Sequence, residues 1–242
     1  MRVPAANDAR AAYDEWHLHP PIDRDASAPW HVLVKAYLAA APFAGGNSLE
    51  IGCGRGELSA WLANSLPRAG RHVAADFSIT AMQRAREVLR VQDAHDVSCS
   101  IADIQALPFH HDSFDLVVSC ETVEHLPDPA RAVRELSRVL RHGGRLVLTT
   151  PNYLGPIGMY RGYMRLTGRR YTETGQPLNR FVMWPRTWRW FRRAGLSVIY
   201  ATGAGHYLPV PGRPPIRCRL PDRAAWFTRW FALHSLIVGR KP

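Results

Sequence analysis

Three alternating glycines form the clearest chemical signal in the sequence. Gly52, Gly54 and Gly56 come directly after an apolar run and open a helical pattern, with Glu50 just in front of them. Glycine reaches backbone conformations that other residues avoid and has no Cβ to keep a ligand away from the main chain. The helix behind the turn offers N–H groups to an anionic group, and Glu50 would suit a cationic one. We predict a ligand-binding turn that includes Cys53.

Two well-known phosphate-binding turns do not fit this spacing. A dinucleotide turn needs a small residue at position 57, where Glu57 stands, and a P-loop needs a Gly-Lys-Ser/Thr end that the sequence lacks. A plain strand-to-helix turn would explain one glycine, but not three glycines with an acid in front. The pattern therefore favours a ligand with a cationic group, such as an amine, near the acid.

A second acid closes the next predicted strand. Asp76 lies 24 residues beyond Gly52, at a position from which a carboxylate can accept from both hydroxyls of a ribose. An aspartate at a strand end is also common as a helix cap, although Ser78 could cap the same helix. Together with the glycine turn, Asp76 predicts ribose binding.

A third chemical group follows the strand after that. Asp103 can accept a hydrogen bond from the exocyclic amine of an adenine, while the neighbouring backbone N–H donates to a ring nitrogen. Ile104, Phe77 and Met82 could supply apolar faces on both sides of the base. For Phe77 and Met82, packing in the protein core is the competing interpretation.

Apolar runs and helical patterns alternate along the chain from residue 48 onward. This alternation is typical of a parallel sheet that is covered on both faces. Strands are expected at residues 48–52, 72–76, 97–103, 114–120, 145–150, 196–202 and 233–239. Helices are expected at residues 7–18, 29–41, 56–65, 78–91, 129–141, 185–194 and 222–231. The proline-rich segment 204–221 is predicted to be an irregular loop.

Charge is distributed unevenly in a chain whose net charge is +11. Residues 1–154 carry a net charge of −3, whereas residues 155–193 carry +8 and residues 205–242 carry +6. The basic segments predict contact with an anionic partner or a membrane surface, and a merely solvated basic face is the competing interpretation. Because no apolar run is long enough to cross a bilayer and the N-terminus lacks the apolar centre of a signal peptide, we expect a cytoplasmic protein.

The four cysteines are Cys53, Cys99, Cys120 and Cys218, and none forms a CxxC pair. Three of them lie in or next to apolar, strand-like runs. We therefore expect buried thiols rather than a disulfide or a zinc site.

The central part of the chain resembles a known enzyme family. The glycine turn, Asp76, Asp103 and the strand that ends at Cys120 are similar to the class I S-adenosylmethionine-dependent methyltransferases, over roughly residues 45–152. The resemblance implies S-adenosyl-L-methionine as cofactor and S-adenosyl-L-homocysteine as product. It also implies an α/β fold with a seven-stranded Rossmann-like sheet of order 3-2-1-4-5-7-6 whose last strand is antiparallel. Helices lie on both faces, with an N-terminal helical cap and an insertion after strand 5.

Two runs narrow the resemblance to a branch of that family. Cys120–Pro129 (CETVEHLPDP) and Arg138–Gly144 (RVLRHGG) are similar to the small-molecule branch, which includes the ubiquinone-biosynthesis-type O-methyltransferases. His142 departs from that branch, which has a proline in this turn. The resemblance assigns the methionine end of the cofactor to Glu50, Gly52, Gly54 and the backbone of Cys120, the ribose to Asp76, and the adenine to Asp103 and Ile104.

The same resemblance suggests a single domain with four parts. These are an N-terminal helical cap (1–44), a cofactor-binding core (45–152), an acceptor-side insertion (153–184) and the C-terminal part of the sheet (185–242). We expect a monomer or a homodimer.

His125 is the candidate catalytic residue. Methyl transfer needs an acceptor aligned with the methyl group and protected from water, and a base helps where the acceptor carries a proton. His125 lies just past the fourth predicted strand and titrates near neutrality, although it could merely brace its loop. Glu121, Glu124 and His125 could alternatively hold a divalent metal, but we predict that no metal is bound.

The acceptor pocket is expected to come from segments outside the core. Tyr13 and Trp16 could form a lid, and Glu121 could contact the acceptor. Aromatic residues of the insertion could line an apolar wall, namely Tyr153, Tyr160 and Tyr163, beside Arg161, Arg165, Arg169 and Arg170. These residues predict an aromatic or lipid-like acceptor, which could carry an acidic group. For the Trp-rich segment 226–231 we favour packing on the sheet edge over membrane contact.

The predicted function is methyl transfer to a small-molecule acceptor, at the oxygen of an aromatic, quinone-like or natural-product molecule. One alternative is a nucleic-acid methyltransferase that uses the basic C-terminal third. However, the sequence lacks the Asn/Asp-Pro-Pro-Tyr/Phe motif with which amino-methylating enzymes hold a flipped base. Another alternative is a non-catalytic partner subunit with a methyltransferase fold.

Overall fold

A computed structural model of the chain describes residues 6–19, 26–67, 69–168, 180–210, 216–218 and 222–242. Its helices are α1 (Ala6–Trp16), α2 (Pro29–Ala40), α3 (Glu57–Ser65), α4 (Ile79–Val91), α5 (Pro129–Val139), α6 (Pro156–Leu166), α7 (Trp184–Arg193) and α8 (Asp222–Thr228). Its strands are β1 (Ser48–Ile51), β2 (His72–Asp76), β3 (Val97–Ile101), β4 (Phe114–Cys120), β5 (Leu140–Pro151), β6 (Ser197–Ala204), β7 (His206–Leu208), β8 (Ile216–Cys218) and β9 (His234–Arg240). Short 3-10 turns cover Val123–His125 and Arg229–Phe231.

Seven of the strands form one sheet in the order β3-β2-β1-β4-β5-β9-β6. Strands β1 to β5 run parallel, and β9 runs antiparallel to both β5 and β6. The predicted order 3-2-1-4-5-7-6 is confirmed, because β9 is the seventh strand of the main sheet.

The two faces of the sheet bury alternate residues of the central strands. On β4, Val117 faces a core built with α5 and α7, whereas Leu116 and Val118 face a core built with α2 and α3. This alternation follows from the two-residue period of a strand. Both faces are apolar because helices cover both. Helix α2 thus belongs to the covering layer of the sheet, while α1 contacts α4.

The segment between β6 and α8 differs from the prediction of an irregular loop. Strands β7 and β8 pair in antiparallel fashion in it. Each of them has only three residues and prolines follow or precede it, so the sequence carries no two-residue period that could reveal the pair. The Nε2 of His206 lies 2.9 Å from Thr228 Oγ1, which joins this hairpin to α8.

The prediction that segment 226–231 packs on the sheet edge is confirmed for the backbone of its 3-10 turn, because a Cβ on Gly203 of the edge strand β6 would lie 2.4 Å from the carbonyl oxygen of Arg229. Its aromatic rings, however, do not pack there. Trp226 is 58% exposed and Phe227 is 70% exposed, and Trp230 and Phe231 are also exposed. The spacing of aromatic residues along a helix does not say whether the face they share meets a sheet or solvent.

All four cysteines are free thiols. Cys53 and Cys120 are buried, as expected, whereas Cys99 and Cys218 are half-buried. Cys99 lies on β3, the edge strand of the sheet, which is flanked by β2 on one side. Among the described residues, no helix is long and apolar enough to cross a membrane.

Candidate active site

The predicted site residues converge at one edge of the sheet. Because β1, β2 and β4 are parallel, their carboxyl ends meet there and bring together Glu50, Asp76 and Cys120, all of which are buried. The Oγ of Thr122, just after β4, donates to the carbonyl of Cys120 at 2.8 Å and fixes the backbone of the β4 loop. Crevices at the carboxyl ends of such sheets are the usual ligand sites.

The three glycines of the turn have different physical reasons to be glycine, although all have positive φ angles. A Cβ on Gly52 would lie 2.2 Å from the Oγ1 of Thr122, and a Cβ on Gly56 would lie 3.1 Å from the Cβ of Ala85. Packing therefore requires glycine at position 52 and leaves little room beside Gly56. A Cβ on Gly54 would meet only His17 Cε1, at 3.8 Å, among the described residues. Gly54 is thus the glycine that faces open space and could face a ligand.

Asp76 holds the glycine turn in place. Its Oδ2 accepts from the backbone N–H of Gly54 at 2.9 Å, and its Oδ1 accepts from the backbone N–H of Ser78 at 2.9 Å. The Oγ of Ser78 accepts from the N–H of Ala81 at 3.0 Å, so Ser78 is the residue that caps α4. Burial raises the pKa of Asp76 to about 6. Each carboxylate oxygen has a second lone pair, so both could still accept from hydroxyl groups of a ligand.

Glu50 is a carboxyl group buried beneath the turn, with only 1% of its surface exposed. Ser59 Oγ donates to its Oε2. Burial, reinforced by the charges of Glu57 and Asp76, raises the pKa of Glu50 to about 8. A buried carboxylate is costly unless a cation pairs with it. The buried carboxyl of Glu50 therefore fits the cationic amine of a methionine-derived cofactor.

The residues predicted to surround the adenine lie in different environments. Asp103 is half-buried, and its Oδ1 accepts from the N–H of Gln105 at 2.8 Å. Ile104 is buried in the core and Met82 packs against Cys53, with 3.6 Å between the two sulfur atoms. The Cζ of Arg10 lies 4.7 Å from the ring centre of Phe77. Burial of Met82 fits the core-packing interpretation, and the cofactor roles of these residues remain predictions.

Helix α1 lies over the glycine turn and is tied to it by polar contacts. Asp14 Oδ1 accepts from Ser78 Oγ at 2.5 Å and from the N–H of Thr80 at 3.0 Å. The guanidinium of Arg55 donates to the carbonyls of His17, at 2.8 Å, and His19. These contacts join α1 both to α4 and to the turn.

Side chains at and just after the C-terminal end of α1 lie beside the glycine turn and His125. Burial, with the charge of Arg55, lowers the pKa of His17 to about 4, so this imidazole is neutral near pH 7. Trp16 packs on the His17 ring with 4.8 Å between the ring centres. The Tyr13 ring lies 6.4 Å from the His125 ring. Helix α1 thus connects the glycine turn to the candidate base.

His125 sits in the loop after β4, with 12% of its side chain exposed. Its Nε2 lies 3.4 Å from Glu124 Oε1, while the other carboxylate oxygen of Glu124 accepts from Thr150 Oγ1 at 3.2 Å. Arg180 braces the loop by donating to the carbonyls of Leu126 and Pro127 at 2.6 Å each. A carboxylate beside an imidazole orients the ring and stabilises its protonated form.

His234 forms a second Glu–His pair that the sequence interpretation missed. Its Nδ1 lies 3.2 Å from Glu121 Oε2, and the Trp30 and Tyr207 rings lie 4.9 and 6.4 Å from its ring. His234 is the first residue of β9 and pairs with Pro151. Because β9 is antiparallel, its amino end lies at the edge where the parallel strands have their carboxyl ends. The implied antiparallel last strand was the signal that could have identified it.

The aromatic residues of the predicted insertion lie on or near α6. Tyr153 is buried and stacks on Phe181, with 5.0 Å between the rings, while the Cζ of Arg161 lies 4.4 Å from the Tyr153 ring centre. The rings of Tyr160 and Tyr163 stack 6.4 Å apart, and Tyr163 is exposed. Their contact with an acceptor remains a prediction. Arg169 and Arg170 lie outside the described residues.

Glu121 and Glu124 contact different histidines, His234 and His125 respectively. Across the described part of the chain, no group of three or more His, Cys, Asp or Glu side chains is arranged to hold a metal ion. We assign no role to a metal.

Comparisons with known proteins find a methyltransferase domain in the central part of the chain. Residues 49–148 match the family model of the methyltransferase domain. The methyltransferase GfsG of Streptomyces halstedii is 36% identical over 138 residues, which cover 56% of this chain and 49% of that protein. The demethylmenaquinone methyltransferase of Listeria monocytogenes is 27% identical over 169 residues, which cover 64% of this chain and 71% of that protein.

A solved structure supports the fold. A methyltransferase in complex with the Trm112 activator of Haloferax volcanii superposes with a TM-score of 0.67 at 24% identity, covering 97% of each chain. The chain spans about half the length of GfsG and less than half of two other curated relatives. Residues 49–148 therefore form a methyltransferase domain, and the sheet around them has the strand order of the Rossmann-like methyltransferase fold.

Proposed function

We propose that the protein transfers a methyl group from S-adenosylmethionine to the oxygen of an aromatic, quinone-like or natural-product acceptor. The observation that carries the proposal is the pair of Glu–His contacts at the rim of the site, Glu124 with His125 and Glu121 with His234. Aromatic rings of Tyr13, beside His125, and Trp30, beside His234, accompany them. This combination suits a flat acceptor whose hydroxyl must lose a proton.

The chain's own residues have three tasks in this proposal. Bound S-adenosylmethionine supplies a methyl group that its sulfonium has already activated. Glu50 pairs with its amine, Asp76 accepts from the ribose and Asp103 accepts from the adenine. Helix α1 restricts the access of water to this edge, which favours the reaction of the acceptor over that of water. His125 takes the proton of the acceptor hydroxyl, with Glu124 orienting the imidazole.

The activity is tested by measuring S-adenosylhomocysteine formed from S-adenosylmethionine with a panel of catechols and hydroquinones. Their fully O-methylated counterparts are the matched controls. We expect turnover only with the free hydroxyl compounds. Turnover on tRNA or duplex DNA instead would favour the nucleic-acid alternative. If calorimetry detects neither S-adenosylmethionine nor S-adenosylhomocysteine binding, the non-catalytic alternative is favoured.

The base is tested by comparing His125→Asn with His234→Asn. If His125 is the base, its variant loses about 10²–10⁴-fold in kcat and the acidic limb of its pH–rate profile, with unchanged S-adenosylhomocysteine affinity. His234→Asn should mainly raise KM for the acceptor. The reverse pattern would assign the role of base to His234. If neither variant changes kcat or the pH–rate profile, no histidine acts as the base.

A further inference from the structure

Exposed apolar side chains are concentrated in one part of the molecule. Of the nineteen large hydrophobic side chains that are exposed among the described residues, fourteen lie between residues 154 and 231. Single exposed hydrophobic residues are ordinary, but a contiguous group marks a surface that meets something apolar.

Five of these side chains form one surface, which we call the aromatic face: Leu154, Trp188, Trp226, Phe227 and Trp230. Leu154, Trp188 and Trp230 line a common shallow groove. The Cζ of Arg229 lies 4.6 Å from the Trp226 ring and 5.0 Å from the Trp230 ring, so it bridges the two indoles. Phe227 packs on Trp226 with 4.9 Å between the rings.

Buried polar contacts fix the backbone behind the aromatic face. The side-chain amide of Asn152, at the end of β5, donates to the carbonyls of Trp230 and Ala232 at 2.7 and 3.0 Å. A Cβ on Gly155 would lie 2.0 Å from the carbonyl oxygen of Phe231, so the start of α6 is packed tightly against this segment. The backbone that carries the exposed rings is thus fixed by buried contacts.

The helices that flank the aromatic face are strongly basic. Arg165 on α6 and Arg186, Arg189, Arg192 and Arg193 on α7 are exposed. Segment 155–193 has a net charge of +8, although residues 1–154 have a net charge of −3. A surface that combines exposed tryptophan and phenylalanine with arginine is typical of binding at the interface of an anionic membrane.

We propose that the aromatic face docks on the surface of anionic lipid bilayers. Trp226, Phe227 and Trp230 enter the interfacial layer, where indole rings are favoured, and the arginines of α6 and α7 meet the phosphate groups of the lipids. Single-stranded nucleic acid also binds aromatic and basic surfaces. However, Leu154 and the exposed Met159 and Leu166 offer aliphatic surface, which suits acyl chains and cannot stack on bases.

This docking does not depend on methyl transfer. The aromatic face contains none of the residues assigned to the cofactor or to the base. Loss of turnover would leave docking unchanged, and loss of docking would leave S-adenosylhomocysteine binding unchanged, so the two proposals fail separately.

The apolar part of the proposal is tested by co-sedimentation with phosphatidylcholine vesicles that contain or lack phosphatidylglycerol. We expect binding only to the anionic vesicles, and less of it at high salt. Phe227→Asp should weaken binding about tenfold or more, as expected when an inserted aromatic ring is replaced by a charge. Val91→Asp is the matched control, because Val91 is 71% exposed on α4 and Phe227 is 70% exposed on α8.

The basic part is tested by reversing two charges at a time. Arg165→Glu with Arg189→Glu should weaken binding to the anionic vesicles about tenfold or more. Arg86→Glu with Arg90→Glu, on exposed positions of α4, is the control and should change it little. All these positions are exposed, and unchanged thermal unfolding verifies that the variants fold.

Three outcomes would overturn the proposal. They are no binding to anionic vesicles, equal losses in the α4 controls, and binding to single-stranded RNA that anionic vesicles do not compete away.

Discussion

The two halves of this molecule place their charged groups in opposite ways. In the half that contains the glycine turn, the notable charged groups, Glu50 and Asp76, are buried at the ends of strands. In the half that follows β5, the arginines lie on the surface beside exposed aromatic rings. Buried carboxylates in the first half are consistent with the proposed small-ligand site, whereas the exposed arginines and rings of the second half are consistent with the proposed lipid surface.

The same difference predicts how each half responds to substitution. Around the glycine turn of the first half, a small change meets close packing, a buried charge or the space that faces the ligand, so stability, ligand binding or both are affected. In the second half, exposed residues can be exchanged with little effect on folding.

The largest effect is expected from Gly52→Ala. Its Cβ would lie 2.2 Å from Thr122 Oγ1, and its φ of +74° is unfavourable for alanine. Overpacking and the left-handed backbone together should lower the free energy of unfolding by about 2–5 kcal/mol. Gly54→Ala has a φ of +54° but only a 3.8 Å neighbour, so it should lose about 1–2 kcal/mol.

Chemical denaturation and calorimetry with S-adenosylhomocysteine measure the two effects. Gly54→Ala should retain most of its stability and still bind the ligand at least about tenfold more weakly, because the added methyl group occupies the space that Gly54 faces. Equal losses of stability in the two variants would contradict the assignment of Gly52 to packing and Gly54 to the ligand.

The next effect is a pH dependence that comes from Glu50. Its pKa is raised to about 8, so the carboxyl must lose a proton to pair with the amine of the ligand. We expect the affinity for S-adenosylhomocysteine to rise with pH, by up to about tenfold per unit, and to level off above pH 8. Below pH 6, protonation of Asp76 should weaken binding further. Glu50→Gln should remove the dependence between pH 6 and pH 8 in a calorimetric titration.

The same group makes the ligand-free protein less stable as the pH rises. The ordinary pKa of this carboxyl is 4.5, so the folded state holds the proton more tightly than the unfolded state. The Glu50 contribution to the free energy of unfolding therefore falls as the pH rises from 4.5 to 8. Comparison of wild-type and Glu50→Gln unfolding curves isolates it, and parallel curves would contradict a raised pKa.

The smallest effect is expected from Asp14→Ala. The substitution removes two acceptor contacts, with Ser78 Oγ and the N–H of Thr80, which are together worth about 1–3 kcal/mol. Helix α1 should then become sensitive to limited proteolysis, and S-adenosylhomocysteine should bind a few-fold more weakly. Glu15→Ala, on an exposed position of the same helix, is the control. Vesicle binding should not change, and a parallel loss would break the separation of the two halves.

The fold and the cofactor edge could be predicted because their signals are local. Apolar runs that alternate with helical patterns located the strands of the main sheet, and the resemblance supplied their order. Glu50 and Asp76 stand at strand ends, and parallel strands bring such ends together. The acceptor side could not be predicted in this way. His234 reaches Glu121 across 113 positions of sequence, and no local pattern encodes that contact.

The sequence by itself therefore determined the strands of the main sheet, most of the helices, the three-glycine turn and the uneven charge, but not α6 or the pair β7 and β8. Only the tertiary structure decided which glycine faces open space, which histidine meets which glutamate, and which aromatic residues remain exposed. The physical reason is that backbone preference and periodicity act over a few residues. Contacts between distant segments depend instead on how β9 runs back between β5 and β6 and on how α1 is tied to the turn by Asp14 and Arg55.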